Sequence, residues 1–214
     1  MSTGASLLTD PYFSGTPSAN IPNLLGMLLA IGEGRQPVRL VKVMGRGTWS
    51  TVYKGVYVFD ASKVCAVKCM AVASMELHQR DLIANEVRLQ KICAKATPHV
   101  LDIHDVFEEN GLQFIVTDLC EKRTLLDYMN EDAFFGDDER VRNIFVQILN
   151  AVEACHEAGV CHRDLKPENI FFQDNGRKVI LGDFGFASEN LVTNQFCIGT
   201  RLYMSPGMST SILY

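Results

Sequence analysis

The chain has 214 residues, 47% hydrophobic and 21% charged, with a formal net charge of −5. That composition suits one medium domain or two small lobes. With no clustered Lys/Arg run, a nucleic-acid partner is not favoured, because phosphate backbones select basic surfaces. The seven Cys, an odd number at irregular spacings with no CxxC pair, argue for free thiols in a reducing compartment. The apolar stretch Leu24 to Ile31 is less than half of the roughly 20 residues a membrane span needs, and no basic region precedes it. The chain is expected to be soluble and intracellular, in the cytoplasm or nucleus, with no membrane partner.

Residues 1 to about 22, rich in Ser, Thr, Gly, Pro and Asn, read as a flexible tail, and the N-terminal extension is drawn over 1–37. Val38 to Val43 alternates apolar and polar residues, the pattern of a half-buried strand. A Gly-containing turn leads to a second strand through Val52 and Tyr53, and Val64 to Cys69 is a third. A helix is predicted over Gln79 to Lys95, with Leu82, Ile83, Leu89 and Ile92 as its apolar positions. Val100 to Phe107 and Gln113 to Leu119 complete five strands. Past Glu121 the chain turns helical, and Arg140 to Ala158 carries the stripe Val141, Ile144, Phe145, Ile148, Leu149 and Val152. Short strands follow near Ile170 to Phe172 and Val179 to Leu181.

Four motifs occur along this frame in a fixed order. Gly45-Arg46-Gly47-Thr48-Trp49-Ser50-Thr51-Val52 lies between two strands, where glycines let backbone approach phosphates. Alone it reads equally well as an ordinary hairpin. A strand rather than a helix follows, which removes the dinucleotide fingerprint, and no Gly-Lys-Ser/Thr follows, which removes the P-loop. Ala66-Val67-Lys68 puts a lysine in an apolar strand, where burial is costly without a partner. Glu86 on the next helix is that partner, and the alternative is a solvent-facing lysine on an edge strand. His162-Arg163-Asp164-Leu165-Lys166-Pro167-Glu168-Asn169 gathers a carboxylate, an ammonium and an amide within six positions. Asp164 is suited to accept or orient a hydroxyl proton, Lys166 to neutralise a γ-phosphate, and Asn169 to offer oxygen to Mg²⁺. Asp183-Phe184-Gly185 follows the apolar Val179-Ile180-Leu181, and Asp183 is a hard ligand for Mg²⁺.

On these residues the chain resembles the eukaryotic protein kinase family from about Val38 to Pro206. The resemblance implies an α+β two-lobe fold. Its N-lobe, over 38–119, would be a five-stranded antiparallel β-sheet with one helix. A partial α-helical C-lobe would span 120–206. It implies ATP in the cleft, Mg²⁺ on Asn169 and Asp183, and protein substrates. Met44 and Val52 would roof the adenine beside Ala66, with Phe171 beneath in place of the usual smaller Leu. Gly45, Gly47 and Ser50 would carry the phosphate loop, with Lys68 on the phosphates and Glu86 holding Lys68. Thr117 matches the gatekeeper, and Asp118 to Cys120 the hinge that bonds adenine. His162, Phe184, Gln90 and Ile103 would stack as a spine. Lys166 after Asp164, and Gly199-Thr200 before Tyr203, resemble the serine/threonine branch. The Gly199-to-Pro206 stretch and the Leu-rich segment before the first strand resemble fungal kinases of the meiosis-repressing group.

Three departures from the family pattern stand out. Ser50 replaces the third loop glycine. Gln90 takes a normally apolar spine position, which predicts an α-helix easier to swing outward. Ser205-Pro206-Gly207 stands where Ala-Pro-Glu is usual, and 207–214 matches nothing in the family. The chain is therefore expected to be a C-terminally truncated kinase, from a cut gene model, retained intron or splice form. The competing reading is an inert nucleotide- or partner-binding fragment. Arg163 before Asp164 suits a segment held by phosphate, and Thr193 is the nearest upstream hydroxyl.

Overall fold

The computed structural model describes residues 21–47, 50–120, 123–131, 134, 136–189 and 198–205. Thr48, Trp49, Glu121, Thr193, Pro206 and the 207–214 tail of the sequence reading lie outside them, as do residues 1–20.

The N-terminal lobe is built on one antiparallel sheet. Its strands are β1 (Leu28–Ile31), β2 (Gln36–Arg46), β3 (Ser50–Tyr57), β4 (Asp60–Ala71), β5 (Ile103–Glu109) and β6 (Leu112–Thr117), in the order β1-β2-β3-β4-β6-β5. The sheet thus has six strands where five were expected, and the extension drawn over 1–37 is corrected. Leu28 pairs with Arg39 and Ile31 with Gln36, while Leu29 and Ile31 are buried. Leu24 is buried as well, and its N–H donates to the Tyr53 hydroxyl at 3.4 Å. Four residues are too short for alternation to stand out, yet pairing with β2 satisfies their backbone and buries two of their side chains. The strand alternation sends Cys65, Val67 and Cys69 of β4 into the core on one face, packed with Val38, Leu40, Tyr53 and Phe114.

On the other face lies helix α1 (Leu77–Ala96), close to the expected bounds, with Ile83 packed against Met70, Val72, Ile103 and Ile115. At its start, the Glu76 N–H donates to the Gln79 side-chain oxygen at 3.0 Å, satisfying a donor that the helix leaves open.

The C-terminal portion holds α2 (Leu125–Asn130), α3 (Asp138–Glu157), a 3₁₀ turn at Pro167–Asn169 and the hairpin of β7 (Ile170–Gln173) with β8 (Lys178–Leu181). Helix α2 is capped reciprocally: Thr124 and Asp127 exchange backbone and side-chain bonds. The apolar stripe of α3 divides between two faces. Ile144, Ala151 and Cys155 enter a core with Leu89, Cys93, Phe172 and Leu181, whereas Val141, Phe145 and Leu149 are 45%, 59% and 51% exposed. Among the described residues, no helix is long and apolar enough to cross a membrane.

Candidate functional site

A cavity of about 400 Å³ opens between the sheet and the hairpin β7–β8. Met44, Gly45, Ser50 and Val52 line it from β2 and β3, Ala66 and Lys68 from β4, and Glu86, Val87 and Gln90 from α1. Thr117 ends β6 at its back. Asp118, Leu119 and Cys120 form one edge, and Phe171 and Asp183 the opposite wall. Gly47 lies outside the lining; its N–H closes the β2–β3 turn on the Ser50 carbonyl at 2.8 Å. Apart from Gly47, the expected ATP-site residues therefore meet in one place. Val87, Leu101, Ile103 and Ile115 join them, and only the packing of α1 on the sheet brings these to the wall.

Lys68 sits on an interior strand, opposite Val52 on one side and Ile115 on the other, so the edge-strand alternative fails. Its ammonium donates to Glu86 Oε1 at 2.8 Å, with Glu86 only 13% exposed. Burial works against the ammonium, but Glu86 and Asp183 outweigh it and hold its pKa above the ordinary lysine value. Gln90 does not loosen α1. Its buried amide donates to the Leu101 carbonyl at 2.8 Å, which satisfies it and ties the helix to the chain before β5.

The loop from Cys161 to Asn169 is bound from several directions. His162 is buried, packs edge-on to Phe184 at 4.7 Å between ring centroids, and places Nε2 3.0 Å from the Gly182 carbonyl. Burial lowers its pKa, which keeps the ring neutral. Arg163, at φ 64°, donates from Nε to the Phe186 carbonyl at 2.6 Å. Ile103 is buried in the α1–sheet core.

Asp164 is the most densely bonded group of the site, 3% exposed. Oδ2 accepts from Lys166 Nζ at 2.7 Å and Asn169 Nδ2 at 3.1 Å. Oδ1 accepts from the Thr200 N–H at 2.8 Å and the Thr200 hydroxyl at 2.7 Å. The same hydroxyl accepts from Lys166 at 2.8 Å. Burial would raise the pKa of Asp164, but Lys166 and Thr200 win and hold it below the usual carboxylate value. Asn169 also donates to the Asp164 carbonyl at 2.9 Å, and its own carbonyl accepts from Gly182 N at 3.0 Å, one residue before Asp183. Asp183 has φ 60°, and its Oδ1 accepts from Gly185 N at 3.4 Å.

Thr200 is the functional candidate absent from the expected site residues, although Gly199-Thr200 carries part of the resemblance to the serine/threonine branch. What delivers it is Gly199. At φ 104°, a side chain there would lie 2.4 Å from the Arg163 carbonyl, so glycine alone allows this approach. Nothing in the local string shows that residue 200 meets residue 164.

The sequence matches the protein kinase domain over residues 38–211. Among curated proteins, it is 32% identical over 184 residues to the fission yeast Schizosaccharomyces pombe protein described as "Negative regulator of sexual conjugation and meiosis". That match covers 86% of this chain and 38% of the relative. Human "Serine/threonine-protein kinase Nek5" is 31% identical over 172 residues, covering 78% of this chain and 24% of the relative. "Cyclin-dependent kinase-like 1" of Caenorhabditis elegans is 32% identical over 165 residues, covering 76% and 45%. The chain thus spans less than half the length of these relatives.

Proposed function

Because the chain belongs to the protein kinase family, we propose that it binds ATP with Mg²⁺ in the cavity and phosphorylates serine or threonine hydroxyls of protein substrates. The carrying observation is that the Lys68–Glu86 pair and Asp183 line one cavity, with the Asp164 network joined to it through the Asn169–Gly182 bond. Serine/threonine kinases among the relatives favour that branch.

In this reading the base lies between Met44, Val52 and Ala66 above and Phe171 below, with its edge on the backbone of 118–120. Backbone at Gly45, Gly47 and Ser50, with Lys68, holds the phosphates. Asp183 and Asn169 fit a hard cation. The carboxylate of Asp183 lines the cavity, and the Asn169 amide nitrogen is committed to Asp164, which leaves oxygen as its donor. When bound, Mg²⁺ supplies charge neutralisation between the phosphates. The substrate hydroxyl oxygen bonds the γ-phosphorus as the bond to the β–γ bridging oxygen breaks, and ADP leaves. Asp164, too weakly basic to deprotonate the hydroxyl early, orients it and takes its proton late, which suits a loose transition state. Lys166 offsets charge on the transferring group. The free cysteines suit the cytoplasm or nucleus as its compartment.

A second reading, nucleotide or partner binding without turnover, is favoured by the exposed Val141, Phe145 and Leu149 on α3. One experiment separates the two: nucleotide-induced melting shifts measured beside phosphotransfer to a generic basic protein. A shift with Asp164-dependent transfer supports the first reading. A shift without transfer supports the second, and no shift with Mg²⁺–ATP defeats nucleotide binding altogether.

A further inference from the structure

His104 stands at an irregular point of the sheet. β5 and β6 pair at Ile103↔Thr117 and again at Asp105↔Val116, so His104 is the extra residue of a bulge. A bulge leaves its residue out of the ladder and re-aims the side chain. Here it aims the imidazole at the cavity edge, with Nε2 2.7 Å from Asp118 Oδ1. Asp118 is the first residue past β6 and begins the 118–120 edge of the cavity. Two other ties of this edge are longer: Asp118 N to the Asp102 carbonyl at 3.4 Å, and Gln173 Nε2 to Cys120 Sγ at 3.9 Å.

We propose that His104 is a positioning residue for the nucleotide. In its protonated form it draws Asp118 against β5 and fixes the backbone edge on which the base sits, so nucleotide affinity falls when His104 loses its proton. The inference rests on the reading of the cavity as an ATP site.

The charged and polar groups around the pair come from β4, β7, β8 and the chain just before β5. Asp102 lies before β5, its Oδ2 3.9 Å from His104 Nδ1, and Lys63 acts from β4. Gln173 of β7 bonds Asp118, and Lys178 of β8 acts on it electrostatically. The bond to Asp118 raises the pKa of His104 from its ordinary 6.5, with burial and Lys63 opposing, and the same bond lowers that of Asp118. A raised imidazole pKa means the ion pair is complete below 6.5 and is lost as pH rises through the higher folded value. The two side chains are 41% and 43% exposed, so solvent weakens the pair, and the expected effect is on the order of two- to fivefold in affinity.

The test is binding of a fluorescent ADP with Mg²⁺ to the chain and to His104→Gln and His104→Ala, from pH 6 to pH 8.5. His104→Gln keeps a donor without a titration, so it cancels the ionisation of the nucleotide itself. The expected result is a wild-type affinity that falls two- to fivefold more than that of His104→Gln across the range. His104→Ala should already bind at pH 6 as weakly as the wild type at pH 8.5. Parallel curves for wild type and His104→Gln would overturn the proposal, as would wild-type affinity in His104→Ala at pH 6. Absence of binding by all three proteins at every pH would instead overturn the ATP reading and this inference with it.

Discussion

The Thr200 hydroxyl donates to Asp164 Oδ1 at 2.7 Å while accepting from Lys166 at 2.8 Å, across 36 residues of chain from Asp164. One small hydroxyl therefore fixes both the carboxylate proposed to meet the substrate and the ammonium beside it. Thr200→Ala should lower kcat about ten- to a hundredfold, the loss expected for bonds to charged groups at about 1.5–3 kcal/mol each. Thr200→Ser should recover most of it. Steady-state phosphotransfer of both variants measures this, and an unimpaired Thr200→Ala would exclude the role.

The same network predicts behaviour in acid. The folded pKa of Asp164 lies below its ordinary 3.8, so its stabilising contribution is present above that value and is lost as pH falls through the folded pKa. Acid unfolding of Thr200→Ala should begin at higher pH than that of the wild type, read by circular dichroism. Identical acid midpoints would mean the bonds do not stabilise the carboxylate.

Asp183→Asn should weaken Mg²⁺-dependent nucleotide binding by tenfold or more, because the neutral amide replaces the one carboxylate in the proposed ligand set. The same change should abolish phosphotransfer. Calorimetric titration with and without Mg²⁺ separates the metal from the base contacts, and undiminished activity would refute the assignment.

Arg88 on α1 grips Glu189 through two bonds of 2.9 and 2.7 Å, four residues past Gly185. This joins the helix carrying Glu86 to the chain after Asp183. Arg88→Glu should reduce nucleotide affinity a few-fold and speed amide exchange in α1. Arg88→Glu combined with Glu189→Arg should restore both. Failure of the swapped pair to recover either property would show that the contact does not hold the helix.

The exposed face of α3 predicts association. The chain should run as oligomers or aggregate at micromolar concentration, and Phe145→Glu with Leu149→Glu should shift it toward monomer with little change in melting temperature, since neither side chain enters the core. Size-exclusion chromatography decides this; a monodisperse wild-type monomer would contradict it.

The four motifs, the order of the strands from β2 onward and the two long helices were legible in the sequence. Each rests on local information: glycine freedom, strand alternation, helical spacing and the chemistry of adjacent polar residues. Lys68 and Glu86 could be paired on paper because a buried ammonium demands a carboxylate nearby. Tertiary structure alone decided the rest. Strand β1 exists because β2 offers it a ladder, and Thr200 reaches Asp164 because Gly199 lets two distant segments touch. Gln90 is quiet because the Leu101 carbonyl happens to face it. A periodic stripe marks which residues of α3 are apolar, but only the neighbours actually packed against the helix settle that Ile144 is inside and Phe145 outside. Long-range contacts of this kind leave no local signature, since any one partner's residue type is compatible with many others.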